Sequence, residues 1–580
     1  MTIDKFNVLT DSQQKFLHES IGNYLEDHHQ EAKDAGFADD SILEEYLSKS
    51  SCLRNDLFVR KADTTLNDVL YSILILAEKK LVEGNDNEFC ASLIKHIESR
   101  YQQMKYMDDC LNLIHSFGGQ EVIVSEFAPI KNAITKVCIE NDVVYLDYCM
   151  PISNQSWRLI QDLSELHIEI EGVWYVSKTG EFYIESTKED LGEENCSTGR
   201  IRINGLEGSS LGKTEKAFYR CLIPVGSVDW YRDIRTYSAF TKNGFTHGLI
   251  ELKDADTILH VYPCYEDEKK YMVIESLTET NRENIDKCIY SIALTLGFIT
   301  GTIHLGKCFV FSSVVPEYNK QVALSYHSMR PSSDSGMRIF TTNMYYVRET
   351  LKAGRVELAD KTPLYDQEGT FQDHLQDWLQ ADMIQSLFSL IHGDEKIARA
   401  VVTIIESANF PLEYQASVRA IVLETLAHSI PGPKPIPDDK LWENIKAEME
   451  AVIGRYECNV NGVRQIEESS LSILQKKINS MNNPTNADSL ARPLEEVGYT
   501  TTTNDLEALK MRNTFLHGGL VKGSVEKQTD ELFYLSLMLH KLSCIIILKR
   551  AGFEGYILNN PVLYNCKKAV ESNERPLLKI

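Results

Sequence analysis

Arg512 and His517 lie five residues apart in the run LKMRNTFLHGGL, residues 509–520, with Asn513 beside the arginine and Gly518 and Gly519 beyond the histidine. This pairing could do chemistry. A histidine titrates near neutrality and exchanges protons at working pH. A guanidinium offers a rigid fork of donors to an anion. By composition alone a chain of this size has roughly an even chance of one such Arg–His spacing. The surrounding residues must therefore carry the argument.

They predict a short helix. Asn504-Asp505-Leu506-Glu507 has the form of a capping box, with asparagine as cap and glutamate three residues on. Gly518 and Gly519 supply the stop, which puts His517 in the last turn. Placing residues at about 100° each from Leu506 puts Arg512 at about 240°, inside an apolar arc with Leu509 and Leu516. Asn513 lies on that arc and His517 at its edge. A buried guanidinium without a partner is costly. Either a carboxylate pairs with it, or the face opens onto a cleft that uses the charge. Asp505, two turns earlier on the same face, is the local candidate partner. Arg512 and His517 point about 140° apart on a regular helix. Two copies related by a two-fold axis could bring the pairs together, which makes a homodimer interface a natural place for a composite site.

Other motifs are weaker. GLEGSSLGKTEK, residues 205–216, ends in Gly212-Lys213-Thr214, but the first glycine of a phosphate-binding loop would fall on Glu207. Starting at Gly208 leaves that loop one residue short. Gly208-Ser209-Ser210-Leu211-Gly212 fits the G-x-S-x-G pattern, which needs a strand before it and a helix after it. The next residues, AFYRCLIPV, read as another strand. Adjacent His28 and His29 point about 100° apart on a helix and chelate poorly together. The thirteen cysteines form no CxxC, so neither a disulfide framework nor a thiolate zinc site is expected, and a reducing cytoplasm is.

The elements that must position these residues fall into three stretches. Residues 1–118 read as helical, 119–345 as a β-rich region, sandwich-like, with one packed helix, NRENIDKCIYSIALTLGFITG. Residues 370–580 are helical again. This is an α+β multidomain layout with a C-terminal all-α bundle, and no internal repeat interrupts it. The apolar segment ELFYLSLMLHKLSCIIILKR is interrupted by His540 and Lys541, and reads as a buried helix rather than a membrane span. The formal net charge of −24 argues against a general polyanion binder, so any nucleic acid must meet a local pocket. Between residues 500 and 560 seven basic residues face six acidic ones, so this segment escapes the acidity of the rest.

The run from Arg512 to His517 resembles the R-N-x-x-x-H form of the R-x(4–6)-H signature of the HEPN superfamily. The long apolar helix after it, closing on LKRAGFEGYI, and a helix before it, VRAIVLETLAHSI, fit the same superfamily. A C-terminal HEPN domain behind a β-rich region most resembles the ApeA-like HEPN proteins of bacterial anti-phage defence. The likeness covers roughly residues 410–555.

The resemblance implies a metal-independent, cofactor-free endoribonuclease acting as a homodimer, with both motifs lining one cleft. RNA supplies its own nucleophile, the 2′-OH. In such a site His517 moves the proton, Arg512 stabilises charge developing on the phosphorane, and Asn513 holds the helix or the phosphate. Lys522, just past the glycines, is a candidate substrate contact. Products carry 2′,3′-cyclic phosphate and 5′-OH ends, and transfer RNA is among the expected targets. An unrestrained ribonuclease poisons its host, so residues 1–345 are expected to sense a phage-derived trigger in abortive infection. Some HEPN toxins carry a tyrosine shortly after the histidine, where a partner enzyme modifies them. Here Gly518, Gly519 and Leu520 stand there, and that control is not expected. The competing expectation is a non-catalytic scaffold or nucleotide- or RNA-binding module whose β-rich region recognises a partner.

Overall fold

A computed structural model of the chain describes residues 11–37, 42–55, 64–82, 88–117, 122–124, 133–140, 143–151, 164–170, 173–190, 196–208, 216–226, 234, 236–241, 244–266, 269–315, 318, 323–339, 379–430, 435–457, 466–482, 488–516, 524–572 and 574–580. The layout is α+β, with helices at both ends and antiparallel sheets in the middle. The chain folds as two compact units. One holds residues 1–231, 235–290 and 304–332; the other holds 232–234, 291–303 and 333–580.

In the first unit the long helices are α1 (Asp11–Asp27), α2 (Ile42–Asn55), α3 (Thr64–Val82) and α4 (Glu88–Phe117). Apolar side chains at helical spacing build their core. Leu17, Ile21 and Leu25 of α1 meet Leu66, Leu70, Ile73 and Leu74 of α3 in one cluster. Buried His18 ties three of these helices together. One ring nitrogen lies 2.9 Å from the Tyr46 hydroxyl and the other 2.7 Å from Asn67 Oδ1. Cys110, Leu111 and Ile114, at the far end of α4, enter the core of the sheets instead.

Five strands form one sheet, in the spatial order Val122–Val124, Ile134–Glu140, Val143–Pro151, Cys196–Ile203 and Phe182–Asp190. Ten strands form the other. Tyr237–Thr241 lies at one edge and Glu165–Ile170 at the opposite edge, and every neighbouring pair with a described register is antiparallel. Alternation decides which face is buried. Along Val143–Pro151, Val144, Leu146, Tyr148 and Met150 are buried while the residues between them are half-buried. These residues share one core with Leu222, Tyr262, Val273, Phe309 and Phe311 of the larger sheet, so the two sheets form a sandwich. The chain crosses between the sheets at Asn204, from Cys196–Ile203 into Gly205–Gly208.

Inside the larger sheet, Arg220 and Glu275 sit opposite each other on adjacent strands, both fully buried and 3.1 Å apart. The Tyr262 hydroxyl donates to the same carboxylate at 2.9 Å, and the guanidinium lies 4.0 Å over the Tyr318 ring. Desolvation opposes the charge on Arg220, and Glu275 restores it.

Helix α5 (Arg282–Thr300) is the one the sequence places among the strands. Asn281 Oδ1 accepts the Asn284 N–H at 2.8 Å and caps its start.

The second unit carries α6 (Ala381–Gly393), α7 (Glu395–Ser407), α8 (Leu412–His428), α9 (Asp439–Glu457), α10 (Glu468–Ser480), α11 (Asp488–Glu496), α12 (Thr503–Leu516) and α13 (Val525–Arg550). Every residue of α13 from Tyr534 to Leu548 is buried. A helix apolar on all sides must be wrapped by others. Among the described residues α13 alone is long and apolar enough to cross a membrane, and most of that apolar stretch is buried within the protein. A final pair of short strands, Tyr556–Leu558 and Leu577–Lys579, folds the C-terminal segment back.

Candidate active site

Helix α12 carries the arginine, and its start differs from the capping box expected at Asn504. Thr502 is the cap. Its Oγ1 accepts the Asp505 N–H at 3.2 Å, and Asp505 Oδ2 accepts the Thr502 N–H at 2.9 Å and the Thr502 hydroxyl at 2.8 Å. The reciprocal pair is the same device, two residues earlier than Asn504 and Glu507. Asn504 instead donates its side-chain amide to Glu574.

Tyr499 approaches from the end of α11. Gly498, at φ +84°, takes the left-handed turn there, and the Tyr499 N–H returns to the Leu494 carbonyl at 2.8 Å. The Tyr499 hydroxyl then donates to Asp505 Oδ2 at 2.8 Å. On the other side Lys541 of α13 places its Nζ 3.0 Å from Asp505 Oδ1, with Glu574 at 4.0 Å. Burial pushes the Asp505 carboxyl up, but Lys541 and the Thr502 hydrogen bonds outweigh it and leave it below its ordinary range.

Asp505, Ala508, Leu509 and Arg512 form the buried face of α12, while Leu506 is exposed. Arg512 sits in the middle of that face. Its partner is not Asp505, as the sequence suggested, but Glu424 of α8, with which its guanidinium forms a direct ion pair. The physical reason is plain. Asp505 lies about 10.5 Å away along the helix axis, and its oxygens are taken by Tyr499, Thr502 and Lys541. Burial pulls the Arg512 guanidinium below its ordinary pKa. Among the described residues its Nε finds no acceptor.

Asn513 lies on α12 with its side chain outside the described residues, and His517 and Lys522 lie outside them altogether. The structure therefore places Arg512 and the backbone of Asn513 in the helix, which is described as far as Leu516.

Two basic side chains nearby in the fold have structural roles. Arg419 of α8 is fully buried. It donates to Ser407 Oγ at 3.0 Å, to the Ser536 carbonyl at 3.1 Å and Oγ at 2.8 Å, and contacts Met337 Sδ. Burial drives its pKa down to about 10. His540 of α13 is buried beside Cys544, and burial with Arg419 close by drives it down to about 3. It is neutral at working pH and does not exchange protons there.

The glycine-serine stretch gains no catalytic support. Gly208 belongs to a strand, where an added Cβ would meet the Leu324 carbonyl oxygen at 2.4 Å, so close packing explains the glycine. The next described strand is Phe218–Pro224, where a nucleophile elbow needs a helix. Ser210 and Lys213 lie outside the described residues. His28 and His29 point apart, as adjacent residues should. His28 stacks on Tyr24 with ring centroids at 4.3 Å, while His29 reaches Glu44 at 3.3 Å.

Glu424 is the residue that reading the sequence missed. Its signal is present: it is the one acidic residue between Ala420 and Ile430, in a run that is otherwise apolar or neutral. No protein-family model matches the chain, and comparisons with curated proteins and with solved structures find no match.

Proposed function

We propose that this chain is a metal-independent endoribonuclease of HEPN type, working as a homodimer and acting as a regulated effector of anti-phage defence. One observation supports it above the others. Arg512 is buried in the middle of a packed helix face, five residues before His517, and is oriented by Glu424 from a second helix. A fixed guanidinium together with a histidine is the donor set that phosphodiester cleavage by an internal nucleophile requires. In that reaction a base takes the 2′-OH proton, the 2′-oxygen bonds to phosphorus, and the P–O5′ bond breaks as the leaving oxygen is protonated. His517 moves protons, Arg512 holds the non-bridging oxygens, Asn513 steadies the phosphate, and Lys522 contacts the RNA backbone. The β sandwich and N-terminal helices serve as the sensing part.

The alternative is a non-catalytic bundle that binds RNA, nucleotides or a protein partner. Glu424 favours it, because a carboxylate already balances Arg512 within the fold. The two readings separate on matched RNA and DNA oligonucleotides. The ribonuclease cuts RNA alone and needs the 2′-OH at the scissile position. A binding module retains both strands uncut.

A further inference from the structure

Among the described residues three arginines are buried, Arg220, Arg419 and Arg512, and they are satisfied in three ways. Arg220 faces Glu275, which is itself fully buried and held by Tyr262, so neither partner can leave. Arg419 has no carboxylate among its described hydrogen-bond acceptors; neutral oxygens from Ser407 and Ser536 take its donors. The bundle can therefore hold a guanidinium without an acid. Arg512 differs from both. Its partner among the described residues is a carboxylate whose side chain is 31% exposed. Its Nε, like that of Arg220, has no acceptor among the described residues. A carboxylate that reaches water can be solvated when it lets go. A buried Nε–H without an acceptor is a donor left over for an incoming oxygen.

We propose that Glu424 is a resident stand-in for the substrate phosphate. Its carboxylate fills the place on Arg512 that a phosphodiester would take, and it must swing toward solvent for RNA to bind. Guanidinium recognises carboxylate and phosphate with the same fork of donors, so the exchange keeps Arg512 neutralised throughout. A carboxylate in that place repels phosphate, so the free protein holds a weak site until something draws Glu424 away. This inference rests on Arg512 being the phosphate-binding arginine of the proposed ribonuclease.

The test uses the full chain and an uncleavable 2′-O-methyl RNA oligonucleotide, with binding read by fluorescence anisotropy at fixed salt. Glu424→Gln should bind roughly tenfold tighter than wild type, because a neutral side chain no longer opposes the phosphate. Arg512→Ala should bind more weakly, and the Glu424→Gln gain should vanish in the double variant. Glu424→Asp, which keeps the charge but shortens its reach, should fall between wild type and Glu424→Gln and covers a failure of the glutamine variant to fold. Equal or weaker binding by both Glu424 variants overturns the exchange and makes Glu424 a brace for Arg512. A gain that persists without Arg512 overturns it as a general charge effect. Cleavage of unmodified RNA is read in parallel. Exchange with no cleavage, whether or not extract from phage-infected cells is added, sinks the ribonuclease and leaves the exchange standing, while cleavage without exchange does the reverse.

Discussion

Asp505 and Lys541 meet at 3.0 Å inside the C-terminal bundle, joining the start of α12 to the middle of α13, with both side chains almost fully buried. This pair, and not Arg512, uses the aspartate, which leaves Arg512 to Glu424 two turns along the same helix face. The division of labour separates a structural ion pair from a candidate functional one on a single helix.

Lys541→Met should therefore destabilise the protein by about 3–5 kcal/mol, the cost of leaving a buried charge unpaired. Replacing both partners, Asp505→Leu with Lys541→Met, should cost clearly less than the sum of the singles, because the buried aspartate leaves together with its lysine. Urea denaturation of the four proteins measures the coupling. Strict additivity would contradict the pairing.

His540 predicts a pH dependence. Its folded pKa of about 3 lies below the ordinary histidine value, so between those two values the unfolded chain binds a proton that the fold refuses. Stability contributed by this group is complete above about pH 6.5 and declines as pH falls toward 3, by about 1.4 kcal/mol per unit. His540→Leu should flatten that slope. Thermal denaturation of wild type and variant from pH 7 down to pH 4 checks it. Asp505 acts lower, since its stabilisation is lost only as pH falls below the ordinary carboxylate range of about 4.

In the first unit, Glu275→Gln should cost about 3–5 kcal/mol by stranding Arg220 between the sheets. Glu424→Gln, at a partly exposed carboxylate, should cost under about 1 kcal/mol. A comparison of the two by denaturation tests the difference between a locked pair and an exchangeable one. Equal losses would show that exposure of Glu424 gives it no freedom.

Arg512→Ala should lower RNA cleavage by about 10²–10³-fold, the scale of losing one donor to a developing oxyanion. Arg512→Lys should recover only part of it, because an ammonium keeps the charge and loses the planar fork. Single-turnover rates with saturating RNA read this directly. Full recovery by lysine would mean that charge alone matters.

Much of this was legible in the sequence, where local pattern decides structure. The helix–sheet–helix order, the packed helix at Arg282–Thr300 and the burial of α13 follow from apolar spacing. So does the placing of Arg512 on a buried face. The cap was displaced by two residues, because Thr502 and Asp505 satisfy the same rule as Asn504 and Glu507 and only packing chooses between them. The partners were not legible. Glu424 is 88 residues from Arg512, and Lys541 is brought to Asp505 by the crossing of α12 and α13. Nothing in local periodicity encodes which helices cross. The passage of the chain between the two sheets at Asn204 is hidden for the same reason, since both flanking strands read alike.

The most direct measurement takes wild type and His517→Ala, incubates each with total cellular RNA in EDTA, with and without extract from phage-infected cells, and maps the new ends. The ribonuclease predicts 2′,3′-cyclic phosphate and 5′-OH ends from wild type alone, at defined positions that identify the target. Identical RNA from the two folded proteins under both conditions, or cleavage that survives loss of His517, would contradict it.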